Sequence, residues 1–167
     1  IHRGVHTLSR EATVMYETAR QRVASHFKVR NEQQVIFTAG TTDGINLVAQ
    51  ALTKNHLREG DEIIVSAYEH HSNILPWQLW AQEHGGRLKV IPLREDHSLD
   101  DDNLEGLFTD RTKLVALSHV SNTLGVISDL ERVVAVSKKK GVPVLVDGAQ
   151  AAPHMPVDLS QLDVDFY

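Results

Sequence analysis

The sequence predicts an α/β fold with a mainly parallel sheet flanked by helices. Two patterns carry that prediction. Short continuous apolar runs, of which Val144-Leu145-Val146 is the plainest, alternate with longer stretches of helical periodicity, as βαβ units do. Polar and ionisable residues gather just after those runs, where an open α/β sheet turns the carboxyl ends of its strands toward one crevice. At 167 residues the chain has the length of one domain with a sizeable core.

In chain order, apolar residues Ala12, Met15, Ala19, Val23 and Phe27 recur at helical spacing, predicting a helix from Ser9 to near Lys28. Residues 34–38 read as a strand, and Gly40-Thr41-Thr42 as the turn into a second helix with Ile45, Val48, Ala49 and Leu52 on one face. A strand is predicted at 62–66 after the turn signal Glu59-Gly60-Asp61, and a helix at 73–84, where Pro76 is tolerable only in the first turn. Residues 87–92 read as a strand, 99–107 as a short helix and 113–118 as a strand. A helix at 130–140 should end on Gly141 in a left-handed cap. The run at 144–146 follows, and 162–167 alternates apolar and acidic residues as a further strand would.

Composition excludes several function classes. The formal net charge of -5 gives no electrostatic footprint for nucleic acid or an anionic membrane. No apolar run approaches the roughly 20 residues of a membrane span. There is no cysteine, hence no disulfide and no thiolate metal site. The ten histidines are scattered and form no tag. The chain opens on Ile1 without a methionine and stops inside an expected sheet element, so it reads as a fragment of a longer protein.

The chemistry is sought at the strand ends. Asp147 stands where a buried strand should stop, and an isolated carboxylate there needs a positive charge or good donors. A protonated ring nitrogen of a cofactor is one such partner; a helix cap or a buried salt bridge is the other reading. Gly40-Thr41-Thr42 combines close backbone approach, two hydroxyls and free N–H groups at a helix start, which suits a phosphate, although threonine also serves as a plain N-cap. In Glu69-His70-His71-Ser72-Asn73 an imidazole after a strand can stack on a flat cofactor, move protons or bind metal; a surface histidine pair is the plainer reading. Asn122 can donate to a phenolic oxygen or a substrate carboxylate, or simply form a turn. Gln150 lies three residues after Asp147, so a tight turn would aim both at one planar ligand. A ligand with a phosphate, a flat ring and a basic ring nitrogen satisfies the whole set, and pyridoxal 5'-phosphate has those three parts.

Five stretches carry a family resemblance: His2-Arg3-Gly4-Val5-His6-Thr7-Leu8-Ser9, Gly40-Thr41-Thr42-Asp43-Gly44-Ile45-Asn46-Leu47-Val48, Glu69-His70-His71-Ser72-Asn73-Ile74-Leu75-Pro76-Trp77, His119-Val120-Ser121-Asn122-Thr123-Leu124-Gly125 and Val146-Asp147-Gly148-Ala149-Gln150-Ala151. In this order the chain resembles the class V aminotransferase group, and within it the cysteine desulfurase and selenocysteine lyase branch of the SufS/CsdA kind. The Glu-His-His…Asn-Ile-x-Pro-Trp form separates that branch from the NifS/IscS one. The resemblance implies that residues 1–167 are a partial large domain of the pyridoxal-phosphate-dependent fold type I. It implies that Asp147 holds the pyridinium nitrogen protonated, that Gln150 contacts the ring hydroxyl oxygen, and that Asn122 lies near that oxygen and the substrate. By the same resemblance His70 stacks on the ring and is the catalytic candidate, and Thr41 and Thr42 bind the phosphate. The implied reaction removes sulfur or selenium from L-cysteine or L-selenocysteine, leaves L-alanine, and passes sulfur to a SufE-like acceptor protein. The implied assembly is a cytoplasmic homodimer.

The family's Schiff-base lysine stands in a Ser-Gly-His-Lys stretch expected beyond Tyr167. The persulfide cysteine and the arginines for the substrate carboxylate are expected in the missing C-terminal part. The chain alone is therefore expected to bind pyridoxal phosphate weakly or not at all, to lack desulfurase activity, and to self-associate through an unpaired sheet edge. Other readings are a different lyase or an epimerase of the same group, a metal site using His70, His119 and Asp147, and a remnant with no function of its own. A Rossmann-type nucleotide module is a further one, opposed by the lack of Gly-x-Gly-x-x-Gly after a strand.

Overall fold

Runs of apolar residues that cannot choose a solvent face become strands buried on both sides. In the computed structural model, which describes residues 4–167, three such strands and a partly exposed edge strand, β2, form one parallel sheet in the order β2-β1-β3-β4. They are β1 (Glu62–Ser66), β2 (Arg87–Ile91), β3 (Thr112–Ser118) and β4 (Val144–Asp147). The helices are α1 (Thr7–His26), α2 (Thr41–Asn55), α3 (Leu75–His84), α4 (Leu104–Leu107), α5 (Leu130–Lys140), α6 (Ala151–His154) and α7 (Leu159–Leu162). The α/β class with a mainly parallel sheet is therefore as predicted. His2 and Arg3, part of the first resembling stretch, lie outside the described residues.

The described residues divide into two compact units, 4–37 with 156–161, and 38–155 with 162–167. In the first, α1 starts two residues before the expected Ser9, because His6 caps it by accepting the Ser9 N–H on Nδ1. The Arg20 guanidinium lies over the rings of Tyr16 and Phe37, and Lys28 pairs with Asp158 at 2.6 Å.

The second unit has three layers. Side chains alternate across each strand, so Ile63, Val65, Leu114, Ala116 and Leu145 face a cluster with Ile45 and Ala49 of α2 and Trp77 and Trp80 of α3. Ile64, Ile91, Val115, Leu117, Val144 and Val146 face the other way, onto Leu130, Val133 and Val134 of α5 and Leu104 of α4. Helix α5 ends on Gly141 at φ 68°, the left-handed cap expected of it.

Three expectations are corrected. Residues 34–38 form no strand: Asn31 and Gln34 close a capping box around a 3-10 turn at Glu32–Gln34, and no strand pairs with the residues that follow. The helix expected at 99–107 is reduced to α4, because the preceding aspartates turn back to Arg94, with Asp101 and Asp102 at 2.8 and 2.7 Å from its guanidinium. At the end of the chain, Leu159–Leu162 is helical and only a single parallel bridge, Leu145 with Phe166, extends the sheet. The Val146 N–H donates to Phe166 O at 2.8 Å there. Among the described residues no helix is long and apolar enough to cross a membrane.

Because the two sheet faces pack independently, Leu114→Ala and Leu117→Ala, both at 0% exposure, should each cost about 2–5 kcal/mol. Leu79→Ala, at 56% exposure, should stay within about 0.5 kcal/mol. Urea denaturation midpoints at constant slope check both.

Candidate active site

All strands run the same way, so the ends of β1, β3 and β4 open on one edge of the sheet. Asp147 is the last residue of β4 and is buried. Its Oδ1 accepts the Ala149 N–H at 3.0 Å. Among the described residues no cation pairs with this carboxylate and no donor reaches its Oδ2. That is a turn contact of the capping kind, and it leaves Oδ2 without a protein donor but accessible at the strand end, where a ligand can reach it.

The chain then turns tightly. Gly148 has the Tyr167 ring against it, and a Cβ there would lie 2.2 Å from Tyr167 Cε1. Gln150 begins α6, its carbonyl accepting from His154 Nδ1 at 2.6 Å, and its side chain is half-buried. The Tyr167 hydroxyl and His119 Nδ1 are 3.0 Å apart, with the two rings edge to face. Burial and the Asp147 charge push the Tyr167 phenol up to about 12. Burial holds His119 below its ordinary range, favouring the neutral ring. Neither aromatic partner therefore supplies Asp147 with a positive charge.

Beyond β3 the chain makes a short antiparallel return, with Val120 bridging Ile127. Ser121 accepts the Leu124 N–H at 3.2 Å, and Asn122 lies exposed in the turn. The turn reading of Asn122 thus holds, yet among the described residues its amide, like that of Gln150, has no protein hydrogen-bond partner.

His70 precedes the 3-10 turn His71–Asn73 and caps it. Its Nδ1 accepts the Ser72 N–H at 3.2 Å and lies 2.8 Å from Ser72 Oγ. In the neutral ring this contact leaves the proton on Nε2, and the ring itself is exposed.

Thr41 and Thr42 open α2 and are exposed. The cap residue is Gly40, at φ 151°, a conformation that favours glycine, and it gives no side-chain cap. Asp43 turns back to the Ala39 N–H at 3.0 Å, and the first intrahelical bond is Gly44 N–H to Gly40 O at 3.0 Å. The N–H groups of the first turn are free to bind an anion, with the helix dipole behind them.

These residues fit pyridoxal phosphate in kind: uncapped donors for a phosphate, an exposed imidazole, two free amides and a carboxylate with one oxygen free of protein donors. The metal reading does not gain support, since among the described residues no three histidine, aspartate or glutamate side chains come together as a metal site. A cleft of about 710 Å³ lies at the opposite edge of the sheet, lined by Thr112, Val142 and Pro143 among others, and none of the candidate residues lines it. Two features escaped the sequence reading: the His119–Tyr167 pair, 48 residues apart, and the buried bonding of Glu69. Ser66 and Asn73 flanking Glu69 were the one local signal of the latter.

The comparisons with known proteins agree with this fold. The chain is 48% identical over 167 residues to the cysteine desulfurase of Serratia proteamaculans (strain 568), covering 100% of this chain and 41% of that protein. The Escherichia coli cysteine desulfurase CsdA superposes with a TM-score of 0.89 at 41% identity, over 100% of this chain and 42% of that one. The C-DES protein, solved with glycine covalently linked to its pyridoxal phosphate, gives a TM-score of 0.81 at 29% identity, over 98% and 43%. The chain thus spans less than half the length of the curated relatives it matches. The family model for aminotransferase class V matches residues 1–167, and the chain belongs to that family.

Proposed function

We propose that this protein is a pyridoxal-phosphate-dependent cysteine desulfurase, acting on L-cysteine or L-selenocysteine and leaving L-alanine, with residues 1–167 supplying part of its cofactor-binding large domain. The observation that carries the reading is the Asp147 carboxylate at the end of β4, whose Oδ1 accepts a backbone N–H while Oδ2 is accessible and has no donor among the described residues. The names of the cysteine desulfurase relatives support the substrate.

When bound, the cofactor supplies an electron sink for the carbon whose bond is broken. Asp147 Oδ2 accepts the ring N–H and keeps that nitrogen protonated, since a buried anion favours the charged form of its partner. The first-turn N–H groups of α2 and the hydroxyls of Thr41 and Thr42 hold the phosphate. Gln150 and Asn122 direct their free amides to the ring hydroxyl oxygen and the substrate. His70 offers a ring face for stacking and an Nε2 that carries or takes a proton. The chain has no cysteine, so the thiol that takes the sulfur is not one of these residues. A SufE-like sulfur acceptor, a homodimeric assembly and a cytoplasmic setting complete the proposal.

Asp147→Asn removes the anion but keeps the shape. In the full-length protein it should lower kcat/KM for alanine release from L-cysteine by about 10²-fold or more and weaken pyridoxal phosphate binding, measured by absorbance titration. Unchanged binding and turnover would overturn the reading.

His119 gives a pH dependence. Its folded-state value lies below the ordinary 6.5, so the neutral form is favoured on folding. The stability this contributes is present above 6.5 and is lost as pH falls from there through the folded value. The Tm of the unaltered protein should therefore drop more than that of His119→Gln between about pH 7.5 and about pH 5. Parallel curves for the two proteins would refute it.

A further inference from the structure

Glu69 is buried and follows β1, directly before His70. Its carboxylate is filled by neutral donors. Oε1 accepts from Ser66 Oγ and from the Ser118 N–H at 2.7 Å. Oε2 accepts from Ser118 Oγ at 2.7 Å and Asn73 Nδ2 at 2.7 Å. The chain of contacts continues, with Trp77 Nε1 donating to the fully buried Asn73 Oδ1 at 3.3 Å. One residue earlier, the Tyr68 hydroxyl meets Ser128 Oγ, which donates to Ser118 O. Among the described residues no cation pairs with Glu69.

This carboxylate ties together three segments: the last residue of β1, the last residue of β3 and the turn that His70 caps. On one side of the knot the chain runs into His70, whose ring is pinned to Ser72 of the same turn. On the other it runs from Ser118 into His119 and on to Asn122. Each oxygen faces one fixed N–H donor, Ser118 N–H on Oε1 and Asn73 Nδ2 on Oε2, so an amide in its place would turn an N–H toward one of them. A core would gain more from an apolar residue here than from a buried anion, unless the fixed spacing of the two strand ends is itself needed.

We propose that Glu69 is a positioning residue for the cofactor site: it sets the distance between the His70 loop and the end of β3, without touching cofactor or substrate. The inference rests on the pyridoxal phosphate reading given above.

The test compares Glu69→Gln, Ser118→Ala and Asp147→Asn in the full-length protein. Backbone amide exchange at Ser118 in the cofactor-free protein should be at least about tenfold faster in Glu69→Gln. With pyridoxal phosphate bound, its induced circular dichroism band should fall and kcat for L-cysteine should drop by about 10- to 100-fold, while KM stays within about threefold. Ser118→Ala, which removes a single donor, should move all three in the same direction by less. A lower Tm with an unchanged circular dichroism band and kcat would make Glu69 merely structural and overturn the inference. Should Glu69→Gln not fold, the same null result in Ser118→Ala overturns it. If Asp147→Asn perturbs the bound cofactor and these variants do not, the positioning role alone fails. If the unaltered protein binds no pyridoxal phosphate, the cofactor reading fails, and the inference with it.

Discussion

A sheet buried on both faces has no room for polar side chains except at its ends, and the candidate site lies at one of those ends for that reason. Ile63 to Val65 of β1, Leu114 to Leu117 of β3 and Val144 to Val146 of β4 are all apolar and buried. The strands are short, so each reaches its edge within a few residues and must satisfy the last backbone and side-chain groups without water. Ser66, Ser118 and Asp147 close the three strands, and Glu69, His119 and Ala149 supply their partners. The residues that finish the sheet are therefore the same residues that wall the crevice.

The opposite edge solves the same problem with ordinary charge pairing. Glu62 begins β1 in a buried position and meets Lys89 Nζ at 2.9 Å and Thr109 Oγ1 at 2.6 Å. Burial raises its carboxyl value, but the bonds from Thr109 and Lys89 and the lysine charge outweigh that and leave it below the usual range. The cleft of about 710 Å³ on that side lacks the combination of unmet acceptor and uncapped helix start found at the carboxyl edge. Volume alone does not locate the chemistry.

The legible parts of the fold were those fixed by a run of neighbouring side chains. Residues 62–66 and 130–140 stand where the sequence pattern puts them, because a doubly buried strand and an amphipathic helix each announce themselves over a whole element. The misread segments turned on partners the pattern does not contain. Residues 34–38 have a strand's composition but no neighbouring strand to bond. Asp100, Asp101 and Asp102 could have opened a helix, but Arg94 draws them into a turn. The site divides in the same way. Asp147, Thr41, Thr42 and His70 could be picked out because each follows a predicted strand. The His119–Tyr167 contact and the Ser118 bonds to Glu69 join residues about fifty apart and depend on the parallel register of β1, β3 and β4.

The two buried carboxylates at the carboxyl edge are separated by how fully each is satisfied. Glu69 has donors on both oxygens, and burial raises its value against the pull of those bonds. It has no lone pair to spare for a ligand, so its effect must be exerted through the segments it joins. Asp147 has one backbone donor on one oxygen and two aromatic neighbours, Tyr167 and the neutral-favouring His119, that bring it no charge. A carboxylate held in that state, with one oxygen fixed and the other open, favours a cationic N–H that reaches it. Under the proposed function, saturation in the first case serves positioning and the open oxygen in the second serves binding. Both follow from placing an acid at the end of a buried strand and varying only the number of donors around it.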